Sequence, residues 1–73
     1  MNNNKENLLF ISSHLPSNIV PQAGHKIAYK NLIEYTKRYN VYLISFFNKQ
    51  EAKYIRTTDF GICIEKHFYY REK

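Results

Sequence analysis

Two short apolar runs constrain this chain more than any other feature: Leu8-Leu9-Phe10-Ile11-Ser12 and Val41-Tyr42-Leu43-Ile44-Ser45-Phe46-Phe47. Neither alternates apolar and polar residues. A strand with one face in water alternates, whereas a strand covered on both faces of a parallel sheet reads as a continuous run. Between the runs, residues 25–39 carry a helical pattern. Ala28, Leu32, Tyr35 and Tyr39 recur on one face, Tyr29, Ile33 and Thr36 widen it, and Lys30, Glu34, Lys37 and Arg38 fall largely outside. Lys37 and Arg38 suit the negative end of the helix dipole, and Asn40 is a residue that takes the left-handed conformation ending a helix. Strand, helix and strand joined by a very short turn imply a right-handed parallel crossover.

After the second run, residues 48–56 read as a short helix burying Ala52 and Ile55, or Tyr54, and residues 57–61 as a turn. Residues 62–70 read as a third strand with Ile62, Ile64, Phe68 and Tyr70 on one face. The polar middle, Glu65-Lys66-His67, leaves open a strand that stops near Ile64. Residues 1–7, polar and rich in asparagine, read as a frayed tail, and residues 8–73 as the domain. The fold class is therefore α/β: a partial, Rossmann-like parallel sheet in an incomplete domain. One full helix and one short one are too little to cover both faces of such a sheet. The remaining cover has to come from residues beyond Lys73 or from a partner, and a chain of 73 residues has little core of its own.

Cys63 is the only cysteine, so no internal disulfide can staple this core. It reads as a small core residue in a reducing, cytoplasmic setting. No run approaches the ~18 apolar residues of a membrane helix, and residues 8–11 are too short for a signal peptide. That leaves a chain that is soluble, or at most peripheral to a membrane. The net charge of +5 comes from lysines and arginines dispersed along the chain, which describes solvated faces better than a nucleic-acid patch. Tyr69-Tyr70-Arg71 could stack on bases, but also reads as a fraying strand end.

The segment carrying chemistry joins the first strand to the helix, from Ser12-Ser13-His14-Leu15-Pro16 to Gly24-His25-Lys26. In open α/β sheets, ligands bind at this carboxyl edge. A helix amino terminus there offers unpaired N–H groups to phosphate or carboxylate. Gly24 allows close backbone approach, and His25 and Lys26 add hydrogen bonds or charge. His14 is placed to bond a substrate or, equally, to cap backbone groups. Leu15, Ile19 and Val20 imply that the loop packs down. The G-x-G-x-x-G and G-x-x-x-x-G-K-[ST] fingerprints are absent, and no G-x-S-x-G surrounds Ser12 or Ser13. His14, His25 and His67 lack metal-ligand spacing, so no metal is expected.

Residues 8–16, Ala23-Gly24-His25-Lys26-Ile27-Ala28-Tyr29, Asn31-Leu32-Ile33 and residues 39–46 together resemble the beginning of family-four glycosyltransferases. In that family a proline-containing loop leads to a small-Gly or Gly-Gly pair that opens a helix. The helix ends in a K-R-Y/H-x-V turn, like Lys37-Arg38-Tyr39-Asn40-Val41, and enters a V-x-L-I-S-F strand, like residues 41–46. The resemblance covers residues 8–47. It implies two Rossmann-like domains about a cleft (GT-B) and transfer of a sugar from a nucleotide-sugar donor to an acceptor, sugar or lipid-linked. The glycine loop, here Ala23, Gly24 and His25, would lie near the donor phosphates. Ala23 stands where many members have a second glycine, which moves the helix start away from a bound phosphate. The donor-binding acidic and basic residues of such enzymes lie in a carboxyl-terminal domain. This segment alone is therefore expected to be inactive, to hold no cofactor, and to partner that domain or itself. A different class is also compatible with the residues: a small non-enzymatic α/β module that self-associates or binds a partner through its open sheet.

Overall fold

Residues 5–71 are described by a computed structural model. The first apolar run becomes β1 (Glu6–Ser12) and the second β2 (Tyr39–Phe47), with α1 (Ala23–Arg38) between them. The α2 turn of helix (Tyr54–Thr57) and β3 (Glu65–Tyr70) follow. All three strands are parallel, in the order β1-β2-β3. Leu8 pairs with Val41, Phe10 with Leu43 and Ser12 with Ser45, while Ile44 pairs with His67 and Ser45 with Phe68. The fold is α/β with a β-α-β unit of the Rossmann-like kind, as the uninterrupted runs imply.

The core lies on one face of this sheet. Val41 and Leu43 from β2 meet Leu32 of α1, Leu15 of the β1–α1 loop and Phe60 of the α2–β3 connection, with Leu8, Phe10 and Phe68 packed around them. Leu15, Leu32, Val41 and Leu43 are completely buried. The connection from β2 to β3 crosses the same face as α1. The Tyr29 hydroxyl donates to the Asp59 carbonyl at 2.6 Å, and Gly61 sits against Ile33 and Thr36. Gly61 has φ +75°, a left-handed backbone that favours glycine, and a Cβ there would come within 2.9 Å of Ile33 Cδ1.

The opposite face is bare. Leu9, Ile11 and Tyr69 are 56%, 62% and 50% exposed, and register places Tyr42, Ile44, Phe46 and His67 beside them. This is why β2 does not alternate in sequence although only one of its faces is covered here: its outward residues are Tyr42, Ile44 and Phe46.

Several boundaries differ from expectation, each for a local reason. Glu6 and Asn7 belong to β1, because the Asn40 amide donates to the Lys5 carbonyl and to Asn7 Oδ1. Residues 1–4 of the expected tail lie outside the described residues. Helix α1 ends at Arg38, and Asn40 does not cap it. Tyr39 is already extended, and no described non-glycine residue has positive φ. The buried line of α1 is His25, Leu32 and Thr36, while Tyr35 is 39% exposed and packs edgewise toward Tyr39. The short helix shrinks to a single turn, since residues 48–51 are closed off by side chains. The third strand starts at Glu65, three residues later than expected, and Ile64 N–H bonds the Val41 carbonyl just ahead of it. Ile62 is 85% exposed, and of the four expected residues Phe68 packs on the core, its ring tilted against that of Phe60 with centroids 5.1 Å apart.

Candidate functional site

The carboxyl rim of a parallel sheet gathers whatever follows each strand, and here it gathers four chemically capable side chains. His14 follows β1, His25 opens α1, Glu51 follows β2 and Arg71 follows β3. The loop that begins at Ser13 is anchored rather than loose. Leu15, Pro16 and Ser17 are fully buried and Val20 is 5% exposed, while Ile19 turns outward at 43%. Ser17 holds the bend: its N–H donates to the His25 carbonyl at 3.1 Å, and its hydroxyl lies 2.7 Å from that of Thr58 and accepts the Ile19 N–H at 3.1 Å. The Arg71 guanidinium donates to the Ser13 carbonyl and ties β3 to the same loop.

His25 and Glu51 form the centre of this rim. Both are 5% exposed, and His25 Nε2 is hydrogen-bonded to Glu51 Oε2. An ionised carboxylate only accepts, so in a neutral imidazole Nε2 carries the proton and Nδ1 presents its lone pair. That Nδ1 is buried and has no partner among the described residues. Glu51 is fixed from its other oxygen: Oε1 accepts the Asn48 N–H at 2.8 Å, and Asn48 Oδ1 accepts the Glu51 N–H at 2.8 Å. This is a reciprocal capping box, Asn-x-x-Glu, closing the turn after β2. The His14 ring lies beside His25, with centroids 5.4 Å apart, and is exposed. One donor atom from each of His14, His25 and Glu51 lies within 4.8 Å of the others.

A cleft of about 290 Å³ adjoins the pair, bordered by Val20, Gln22, Asn48, Lys53 and Tyr54 as well as His25 and Glu51. A second hollow of about 380 Å³, lined by Asn48, Lys49, Gln50, Tyr70 and Arg71, continues along the rim. Lys49, Lys53 and Arg71 give this edge a basic character. Gln22 precedes α1 without a side-chain cap, and no acidic residue occupies the first turn. The helix terminus therefore keeps its donors for other partners.

Of the residues singled out in the sequence, His14 and His25 come together at the rim. Ala23 and Gly24 lie beside them, exposed, and a Cβ on Gly24 would meet nothing within 4 Å. The glycine leaves open space there and is not needed for packing. His67 does not join the other histidines. It lies on the bare face of β3 and contacts Glu65 at 3.1 Å. Glu51 was not singled out. The signal for it was the Asn48-x-x-Glu51 spacing right after an apolar run, which marks a capping box. Arg71 had no local signal, because its role depends on a loop 58 residues earlier in the chain.

Elsewhere, burial pushes the half-buried Cys63 thiol above its usual range, against the opposing pull of Lys66. Tyr29 is also raised, by burial first and then by the negative charge of Asp59. No helix among the described residues is long and apolar enough to cross a membrane. No protein family, no curated protein and no solved structure matches the chain.

Proposed function

We propose that this chain is the opening β-α-β part of a sugar-transferring enzyme, and that its rim loop forms the acceptor side of a cleft shared with a second Rossmann-like domain. The observation that carries this reading is the placement of the anchored loop of residues 13–24, with His14, Gly24 and His25, at the carboxyl rim of a parallel sheet. The strand order supports it, since β1-β2-β3 with both connections on one face is the first half of a doubly wound sheet. In that arrangement the bare face carrying Leu9 and Ile11 is covered by later elements of the same domain. A nucleotide-sugar donor would bind mainly to the second domain, with its phosphates near Gly24, and the acceptor would lie along His14 and the adjoining cleft.

The test is to express the complete reading frame containing these residues and to measure nucleoside diphosphate release from a panel of nucleotide sugars. Release that Gly24→Val lowers at least tenfold, with folding intact, supports the reading. A complete protein with no second α/β domain and no binding of any nucleotide sugar overturns it.

The bare apolar face favours one other reading, a non-enzymatic module in which two copies of the chain meet sheet to sheet. Sedimentation distinguishes the two: a stable, saturable dimer of the complete protein, lost on Ile11→Lys, belongs to the module.

A further inference from the structure

We propose that His14 and His25 bind a divalent transition-metal ion at the carboxyl rim, with Glu51 as the positioning carboxylate that orients His25. The inference does not depend on sugar transfer. It begins from an accounting of buried polar atoms. Glu51 has both oxygens engaged, Oε1 by the Asn48 N–H and Oε2 by His25 Nε2. A neutral His25 therefore holds its proton on Nε2, and its buried Nδ1 has no partner among the described residues. Buried polar groups are nearly always satisfied, and the exceptions reflect strain, a catalytic role, a bound water or an ion. A metal-bound histidine characteristically donates its other ring N–H to a carboxylate, which sets the tautomer and raises the basicity of the ligating nitrogen. His25 and Glu51 already stand in that relation.

The second ligand is adjacent. The His14 ring is tilted against that of His25 at 5.4 Å, and donor atoms of His14, His25 and Glu51 converge within 4.8 Å. Imidazole donors beside a carboxylate suit Zn²⁺, Co²⁺ or Ni²⁺ better than the hard, oxygen-seeking Mg²⁺ or Ca²⁺. His14 is exposed and His25 is buried, so the pair spans the boundary between interior and solvent at the rim. Such an ion would be held on one side and free to accept an oxygen ligand, a phosphate or carboxylate, on the other. The site is assembled from the end of β1, the start of α1 and the turn after β2, which explains why no local histidine spacing announces it.

The experiment is calorimetric titration of the whole chain with ZnCl₂ at neutral pH, paralleled by the visible absorption of the Co²⁺ form. One equivalent should bind. His14→Ala, at an exposed position where folding is not at risk, should weaken binding at least tenfold, and Glu51→Gln should weaken it about 10–100-fold. His67→Ala should leave it unchanged. The proposal is overturned if the wild-type chain shows no binding up to millimolar Zn²⁺, if His14→Ala binds within twofold of wild type, or if His67→Ala loses as much as His14→Ala.

Discussion

The hydroxyls of Ser17 and Thr58 meet at 2.7 Å in the protein interior, 41 residues apart in the chain. They join the β1–α1 loop to the end of α2, and Ser17 also accepts the N–H groups of Ile19 and Val20. Ser17→Ala would leave the Ile19 and Val20 N–H groups and the Thr58 hydroxyl without this partner. It is expected to lower stability by about 1–3 kcal/mol. In a double-mutant cycle with Thr58→Val, urea unfolding should show that the two changes cost less together than their sum. Strict additivity would mean that the hydroxyls do not act on each other.

The two glycines should respond in opposite directions. Gly24 lies in the first turn of α1 with open space around its Cα, so Gly24→Ala should raise stability by up to about 1 kcal/mol. Gly61 has φ +75° and little room beside Ile33, so Gly61→Ala should lower it by about 1–3 kcal/mol. Thermal melts of the two variants, followed by circular dichroism, check both signs. A stabilising Gly61→Ala would contradict the packing of the α2–β3 connection on α1.

The two faces of the sheet should be separable by mutation. Leu43 is fully buried against α1, and Leu43→Ala should cost about 2–5 kcal/mol. Ile11 is 62% exposed on the bare face. Ile11→Lys should change stability much less while reducing light scattering at high concentration, because it interrupts an exposed apolar patch. Equal losses of stability at the two positions would show that the bare face is covered in solution.

Burial of Cys63 sets a pH dependence. Its folded thiol holds its proton above the ordinary value of 9.0, whereas the unfolded thiol does not. Below that value both forms are protonated and the group has no effect. As pH rises from 9.0 through the folded value, the unfolded state loses its proton first and stability falls. Tyr29 adds the same sign above 10.0. Iodoacetamide alkylation of the native chain should show a rate–pH midpoint above 9.0. A midpoint at or below that value would place the thiol in water.

What could be read from the chain alone followed from short-range periodicity. The continuous runs Leu8 to Ser12 and Val41 to Phe47 marked two strands of a parallel sheet, although the face carrying Leu9, Ile11 and Tyr42 is bare among the described residues. The stripe around Leu32 is too regular for anything but a helix, and the brief link through Tyr39 and Asn40 leaves parallel pairing as the natural outcome. Those patterns determined the β-α-β order and brought His14 and His25 to the same rim. Tertiary structure decided the rest. Ile62 and Ile64 lost their expected places in β3 because strand pairing with β2 begins at Glu65, and which side of β2 is covered depended on both connections crossing the same face. Glu51 and Arg71 reached the site through contacts spanning 26 and 58 residues, and no local pattern encodes a distance of that kind. Secondary structure follows from interactions between near neighbours in sequence, whereas a site at a sheet rim exists only once separate strands have aligned their ends.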